Sequence, residues 1–336
     1  MYLATDGTLW GMGLNDKGQL GDGTTTNRNA PVQVASDVAS VLVGDYHTMF
    51  LKTNGTLWGM GSNGNGQLGD GTTTDRSTPV QVASGVSSVS VGAYHTMFLK
   101  TDGTLWGMGS NGAGLLGDGT TTDRSTPVQV ATGVTSVAAG IYHTMFLKTD
   151  RTLWGMGGNY AGQLGDTTKI SRTYPASVAS GVATVSVGSA RTMFLKTDGT
   201  LWGTGSNSDG ALGDSSTTSR TYPASVASGV ASVSMGNTHT MFLKTDDSLW
   251  GMGSNSDGAL GDGTTTNRRT PVRILGSLLS DIASLTVYTL SITTQPISQT
   301  STVGFPLALT VIASGNPAPR YQWQKNGANL VLNCID

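Results

Sequence analysis

Glutamate is missing from this chain of 336 residues; all 21 acidic side chains are aspartates. Glutamate favours helices and aspartate favours turns and caps, so an acid pool made only of aspartate argues against long helices. No helical period runs beyond a turn or two, which points the same way. Cysteine is reduced to Cys334, which leaves no disulfide framework and no thiolate metal site. Charge is sparse, at 12% of residues with a net charge of −2, and no basic stretch or tail occurs. The electrostatic footprint of a nucleic-acid binder is therefore lacking. No run of about 18 apolar residues is present, so no membrane-spanning helix is expected. Met1 already falls inside a repeat, so no leader is expected within this sequence and an export signal would have to lie upstream of it.

What is abundant is glycine, 48 residues, and above all repetition. Trp10, Trp58, Trp106, Trp154, Trp202 and Trp250 follow one another at an unbroken interval of 48 residues. Each sits in a copy of T-L-W-G-M-G-S-N-x-x-G-Q-L-G-D-G-T-T-T-D-R-S-T-P-V-Q-V, followed by V-S-V-G-x-Y-H-T-M-F-L-K. A fixed period of this size marks a repeat architecture. Each unit carries four short apolar segments bounded by Gly, Asp, Asn or Pro; in the third they are 127–130, 137–139, 143–149 and 152–156. This is an all-β signal. Four strands per period of this length predict a β-propeller of six 48-residue repeats, each blade a sheet of four antiparallel strands.

The ordered motifs W-G-x-G-x-N-x-x-G-Q-L-G, D-R-x-x-P-x-x-V and G-x-x-H-T resemble the regulator-of-chromosome-condensation repeat family, over residues 1–290. Within it the near-identical copies are similar to the bacterial type. The resemblance implies a propeller, usually of seven blades, whereas six repeats stand here. Met1-Tyr2-Leu3 matches Met49-Phe50-Leu51, and residues 282–287 match the V-x-S-V-S-V strand that opens a unit. Two expectations stay open: a six-bladed ring with one blade completed by both termini, and a fragment of a longer reading frame. Residues 291–336 resemble the first part of an immunoglobulin-like domain. Trp323 takes the place of its core tryptophan and Val311 or a neighbour faces it. Half a sandwich cannot bury a sufficient core alone.

Several columns recur through the repeats. His47, His95, His143 and His239 share one, with Arg191 in the fifth copy. A metal needs several donors within about 2 Å, and equivalent positions of neighbouring blades lie farther apart, so a structural hydrogen bond is expected and no metal or cofactor. Arg28, Arg76, Arg124, Arg172, Arg220 and Arg268 match six aspartates, from Asp22 to Asp262, across a short loop. Loop fixation is expected, with the carboxylate accepting from loop N–H groups and the guanidinium donating to backbone carbonyls. The tryptophans, with the methionine two residues later, are expected in the core between blades; Thr204 interrupts the methionine column, the mark of a looser contact. No Ser-His-Asp set, phosphate-cradling loop or paired carboxylate emerges, so no enzyme is expected.

Two stretches vary between copies: the pair before the histidine column and the pair after the invariant asparagine. With strands lettered A to D along each unit, these are the A–B turn and the C–D loop, and both must emerge on one face. The candidate binding residues there are Asp45, Tyr46, Tyr94, Ile141, Tyr142 and Tyr160. Neutral loop drift is the competing account. The expected function is a non-catalytic binding propeller that docks a protein or glycan, as a monomer, within a larger bacterial secreted or cell-surface protein. A cytoplasmic location is the alternative. A purely structural spacer is the second functional reading. Guanine-nucleotide exchange is implied by the resemblance alone.

Overall fold

The computed structural model describes residues 1–275 and, beyond them, four short strand segments. It divides into two compact units, Met1–Ser277 and Leu278–Asp336. Every regular element among the described residues is a β-strand. In the first blade β1 (Tyr2–Leu3), β2 (Leu9–Gly13) and β3 (Arg28–Ala35) pair in sequence order. The second is the full pattern, β4 (Val38–Val43), β5 (His47–Lys52), β6 (Leu57–Gly61) and β7 (Arg76–Ala83), each antiparallel to the next. It repeats in residues 86–131, 134–179, 182–227 and 230–275. The protein is a six-bladed β-propeller, blade 1 showing strands B to D and blades 2 to 6 showing A to D.

Residue choice explains each strand. Strand B reads His-Thr-Met-Phe-Leu, and these five residues are buried in blades 2 and 3 because neighbouring blades cover both faces. Strand C alternates side chains with glycine; a Cβ at Gly59 would lie 2.8 Å from Met49 Sδ. Strand D is the outer edge and carries Pro79, whose missing N–H is tolerated at an edge. A bulge between Gly59 and Gly61 adjusts its register to strand C.

The core lies between blades. Met49, Leu51 and Leu57 of blade 2 pack on Val89, Phe98 and Met108 of blade 3, and such clusters recur along the molecule. Each of these side chains contributes roughly 1.5–3 kcal/mol by leaving water. In the second unit, Ser291–Thr294 pairs antiparallel with Ile312–Ser314, and Gln324–Lys325 with Ala328–Asn329. The rest of the expected immunoglobulin-like domain, with Trp323 and Val311, lies outside the described residues, as does the segment 282–287.

Candidate functional site

The A–B turn and the C–D loop meet on one face because they hydrogen-bond to each other. Ser62 N–H, at the start of a C–D loop, donates to the Tyr46 carbonyl at 2.8 Å, and Ser110 and Gly158 do the same to Tyr94 and Tyr142. On the opposite face the D–A and B–C connections join through Val86 N–H to Gly55 O and Thr101 N–H to Gly85 O.

The variable face is dotted with tyrosine. Tyr46, Tyr94 and Tyr142 are 43%, 44% and 44% exposed, and Tyr160 is 57% exposed. Tyr142 and Tyr160 meet edge to face, 5.8 Å between centroids, which joins an A–B turn to the C–D loop of the same blade. Burial and then the neighbouring Tyr142 raise the Tyr160 pKa. Asp45 is exposed and Ile141 half-buried. In blades 5 and 6 the tyrosine position holds Ala190 and Thr238. The inner ends of the A strands surround a central depression of about 230 Å³, whose wall includes Asp45, Ala93, Ile141 and Asn237. That is below the range of pockets that enclose drug-sized ligands, so extended contact across the face, rather than engulfment, is what the shape offers.

The histidine column is internal. His47, His95 and His143 are fully buried, and their Nε2 atoms lie 3.1, 2.9 and 2.8 Å from Thr96, Thr144 and Thr192 of the next blade. Each threonine hydroxyl donates its one proton to a loop carbonyl, Thr96 to Gln67 for example. The imidazole must therefore donate from Nε2, which fixes the tautomer and leaves Nδ1 unprotonated, without a protein partner. Burial pushes the histidine pKa values down, to about 4 for His47 and His143 and about 3 for His95, where the neighbouring histidines add to it. His239 of the last blade is half-buried. Arg191 is 3% exposed and donates to the carbonyls of Gly236, Asn237 and His239 at 3.3–3.4 Å.

The arginine column is placed differently from the backbone-donating role expected of it. In all six blades the guanidinium Nε donates to the facing aspartate, Arg76 to Asp70 at 2.6 Å for instance, and Arg220 to Asp214 likewise. The geometry of the loop explains this: the carboxylate already holds Thr72 N–H and Thr72 Oγ1 through Oδ1, leaving Oδ2 for the arginine. Burial raises the Asp22 pKa, but hydrogen bonds from Thr24, Arg28 and Asn15 outweigh it and bring it to about 2.

The tryptophans pack against the clusters between blades, as Trp106 does on that of blades 2 and 3, but they lie at the border of these clusters and are only half-buried. Trp58 lies against Phe50 at 6.3 Å, gives its indole N–H to Thr56, and carries Lys52 at 5.4 Å. Met60, two residues on, is fully buried. Thr204, which replaces methionine, is fully buried too, its Oγ1 lying 2.9 Å from the carbonyls of Gly162 and Arg220.

The residue that sequence reasoning left without a role is the asparagine. Asn63 is fully buried; its Nδ2 donates to Asp70, Thr72 O and Thr74 O, and its Oδ1 accepts from Leu68 N–H. Its invariance beside a tight loop was the available signal. Among the described residues, no three His, Cys, Asp or Glu side chains cluster as a metal site would require.

The pattern of the RCC1-like domain matches residues 1–289. The chain belongs to the RCC1-like domain family. This RCC1-like domain is similar in structure to human WBSCR16, with a TM-score of 0.69 and 22% identity, covering 79% of this chain and 76% of that one. It is similar to Prp20p of Saccharomyces cerevisiae, described with its binding properties to Gsp1p and histones, with a TM-score of 0.70 and 20% identity, covering 83% and 75%. The same yeast protein bound to Kap60 matches with a TM-score of 0.70 and 19% identity, covering 83% and 73%. At these identities the likeness is one of fold. No curated protein sequence matches this RCC1-like domain.

Proposed function

We propose that this RCC1-like domain is a non-catalytic binding propeller that presents its A–B/C–D face to a protein or glycan, as part of a larger bacterial secreted or surface protein. One observation carries the reading: three consecutive blades expose a tyrosine at the same turn, at 43–44%, and a fourth, Tyr160, stacks edge-on against the third. Tyrosine buries a large rigid area at low entropic cost and is enriched where interfaces hold most tightly. The loss of tyrosine at Ala190 and Thr238 gives the face a preferred side. Protein binding by the yeast relative supports the class of function and not the identity of the partner.

The test is capture on a glycan array and by pull-down, comparing the native chain with the triple variant Tyr46→Ala, Tyr94→Ala and Tyr142→Ala. All three side chains are exposed, so the fold should survive. We expect saturable binding to fall by more than tenfold, the consequence of losing about 1.4 kcal/mol or more. The control places arginine at Ser84, Thr132 and Ser180 on the opposite face, all exposed. Binding that survives the first set and is lost with the second would move the site to that other face.

A further inference from the structure

The C–D loop of blade 4 departs from the pattern of its neighbours. Thr167 stands where blade 3 has Gly119, and Lys169, Ile170 and Ser171 stand where blade 3 has Thr121, Thr122 and Asp123. Two of these changes work against the fold. Thr167 is held at φ 72°, a left-handed conformation unfavourable for a β-branched residue. Asp123 caps the blade 3 loop by accepting from Asn111 N–H at 2.7 Å, whereas Ser171 is not among the partners of Asn159. Local rules broken without benefit to the fold point to function.

What the loop gains is exposed apolar surface. Ile170 is 68% exposed, and Tyr160, at the start of the loop, is 57% exposed. Tyr174 and Tyr222, on the D strands of blades 4 and 5, are 67% and 51% exposed, at a position that is Ala30, Thr78, Thr126 or Thr270 in the other blades. Hydrogen bonds bring these residues to one place. Asn159, next to Tyr160, donates to the Ile170 carbonyl at 3.3 Å, and Thr167 N–H donates to the carbonyl of Thr221, next to Tyr222, at 2.7 Å. Arg220 holds the Tyr222 ring from above at 5.7 Å and donates to its hydroxyl at 3.1 Å. Contiguous exposed apolar side chains of this kind mark interaction sites. The charge changes as well. The blade 3 loop sets Asp118 and Asp123 against Arg124, but in blade 4 Arg172 pairs with Asp166 and the Lys169 charge is left in excess.

We infer that the C–D loop of blade 4 is the centre of a docking site for a protein segment that sets an apolar side chain beside acidic ones. The isoleucine decides for a protein over a glycan: sugars are held by stacked rings and hydrogen bonds, and an aliphatic side chain supplies neither. Tyr160, Ile170 and Tyr174 offer the apolar anchors, and Lys169 selects acidic neighbours and orients the segment. This docking site presupposes the binding role proposed above. It moves the centre of that role from the A–B tyrosines to the outer rim of blades 4 and 5.

The test gives blade 4 the residues of blade 3, with Thr167→Gly, Lys169→Thr, Ile170→Thr, Ser171→Asp and Tyr174→Thr in the full chain. This variant should have a higher urea midpoint than the native chain, because the glycine and the cap return. Random short peptides displayed on phage are selected on the native chain, then synthesised and measured on both chains by fluorescence polarisation. We expect the selected peptides to carry Asp or Glu next to an aromatic or aliphatic residue. They should bind the variant roughly tenfold or more weakly, and their affinity for the native chain should fall as salt rises. Peptides that bind both chains alike, or a selection that yields none, would overturn the proposal. If peptides that ignore the loop are nevertheless lost with Tyr46→Ala, Tyr94→Ala and Tyr142→Ala, the face remains a binding site and only this centre is wrong. A loop-dependent signal on a glycan array without peptide binding would overturn the proposal in favour of a glycan. Loop-dependent higher-mass species in light scattering would overturn it in favour of a second copy of the chain. A variant with a lower urea midpoint would show that these residues serve the fold, and would overturn it too.

Discussion

At Thr167 the backbone has φ 72°, a left-handed conformation that costs a β-branched residue about 1–2 kcal/mol. The same position is Gly23, Gly71, Gly119 and Gly263 in four other copies, with φ between 78° and 85°. Thr167→Gly should therefore raise stability by about 0.5–1 kcal/mol after glycine's own entropic cost, read as a higher urea midpoint. The buried histidines set a pH dependence. They titrate at about 3–4 when folded against an ordinary value of 6.5, so between those limits the unfolded chain binds more protons. The stability they provide is complete above pH 6.5 and is lost as pH falls towards 4, at about 1.4 kcal/mol per pH unit for each histidine. Asp22 adds a lower window, below 3.8, where its folded value of about 2 takes over. Urea midpoints between pH 7 and 4.5 should show the first slope, and His95→Gln should make it shallower; an unchanged slope would count against the assignment. At this scale the sequence displayed the columns but not their partners. That Arg76 reaches Asp70, and that Asn63 ties the loop together, depends on which carboxylate oxygen is free after the turn closes.

Strands were largely legible, since short apolar runs between turn residues have few other interpretations. Their ends were not: the first strand of the third full blade starts at Val134 rather than Val137, through a register shift between Val134 and Ser136 that no local residue announces. The half-exposure of Trp58 was equally hidden, because the period says that tryptophan and methionine share a face and not how far along that face the next blade extends. The A–B turn shows how tightly elements are fitted. A Cβ at Gly92 would lie 2.6 Å from Gly140 O of the adjoining blade and 2.5 Å from His95 Cε1. Gly92→Ala should cost about 1–3 kcal/mol by overpacking. Gly64→Ala, where nothing lies within 4 Å, should be close to neutral. Equal chemical-denaturation midpoints for the two variants would contradict this close approach.

For the whole molecule, stability approximates a sum of blades and of joints between neighbours, as in other stacked repeats. Deleting residues 97–144 removes one blade and one joint, while the junction left behind again sets a methionine, Met156 in place of Met108, against Gly69. We expect such a chain to remain folded, with an all-β circular dichroism spectrum and a lower melting temperature; loss of the cooperative melt would show that blades depend on more than their neighbours. The count of six blades could be read from the period alone, yet the angle between blades could not. It is set by fractions of an ångström at Gly66 and Gly69, where backbone meets backbone and sulfur.

Four of the five joints between blades set a methionine against a glycine, and that likeness also bears on the gene. Tandem units that encode interchangeable interfaces can be gained or lost by unequal recombination, and each event adds or removes one blade without inventing a new contact. Blade number then becomes an inherited variable that changes by whole steps, while point substitutions accumulate in the turns, where the tyrosines end at Ala190 and Thr238.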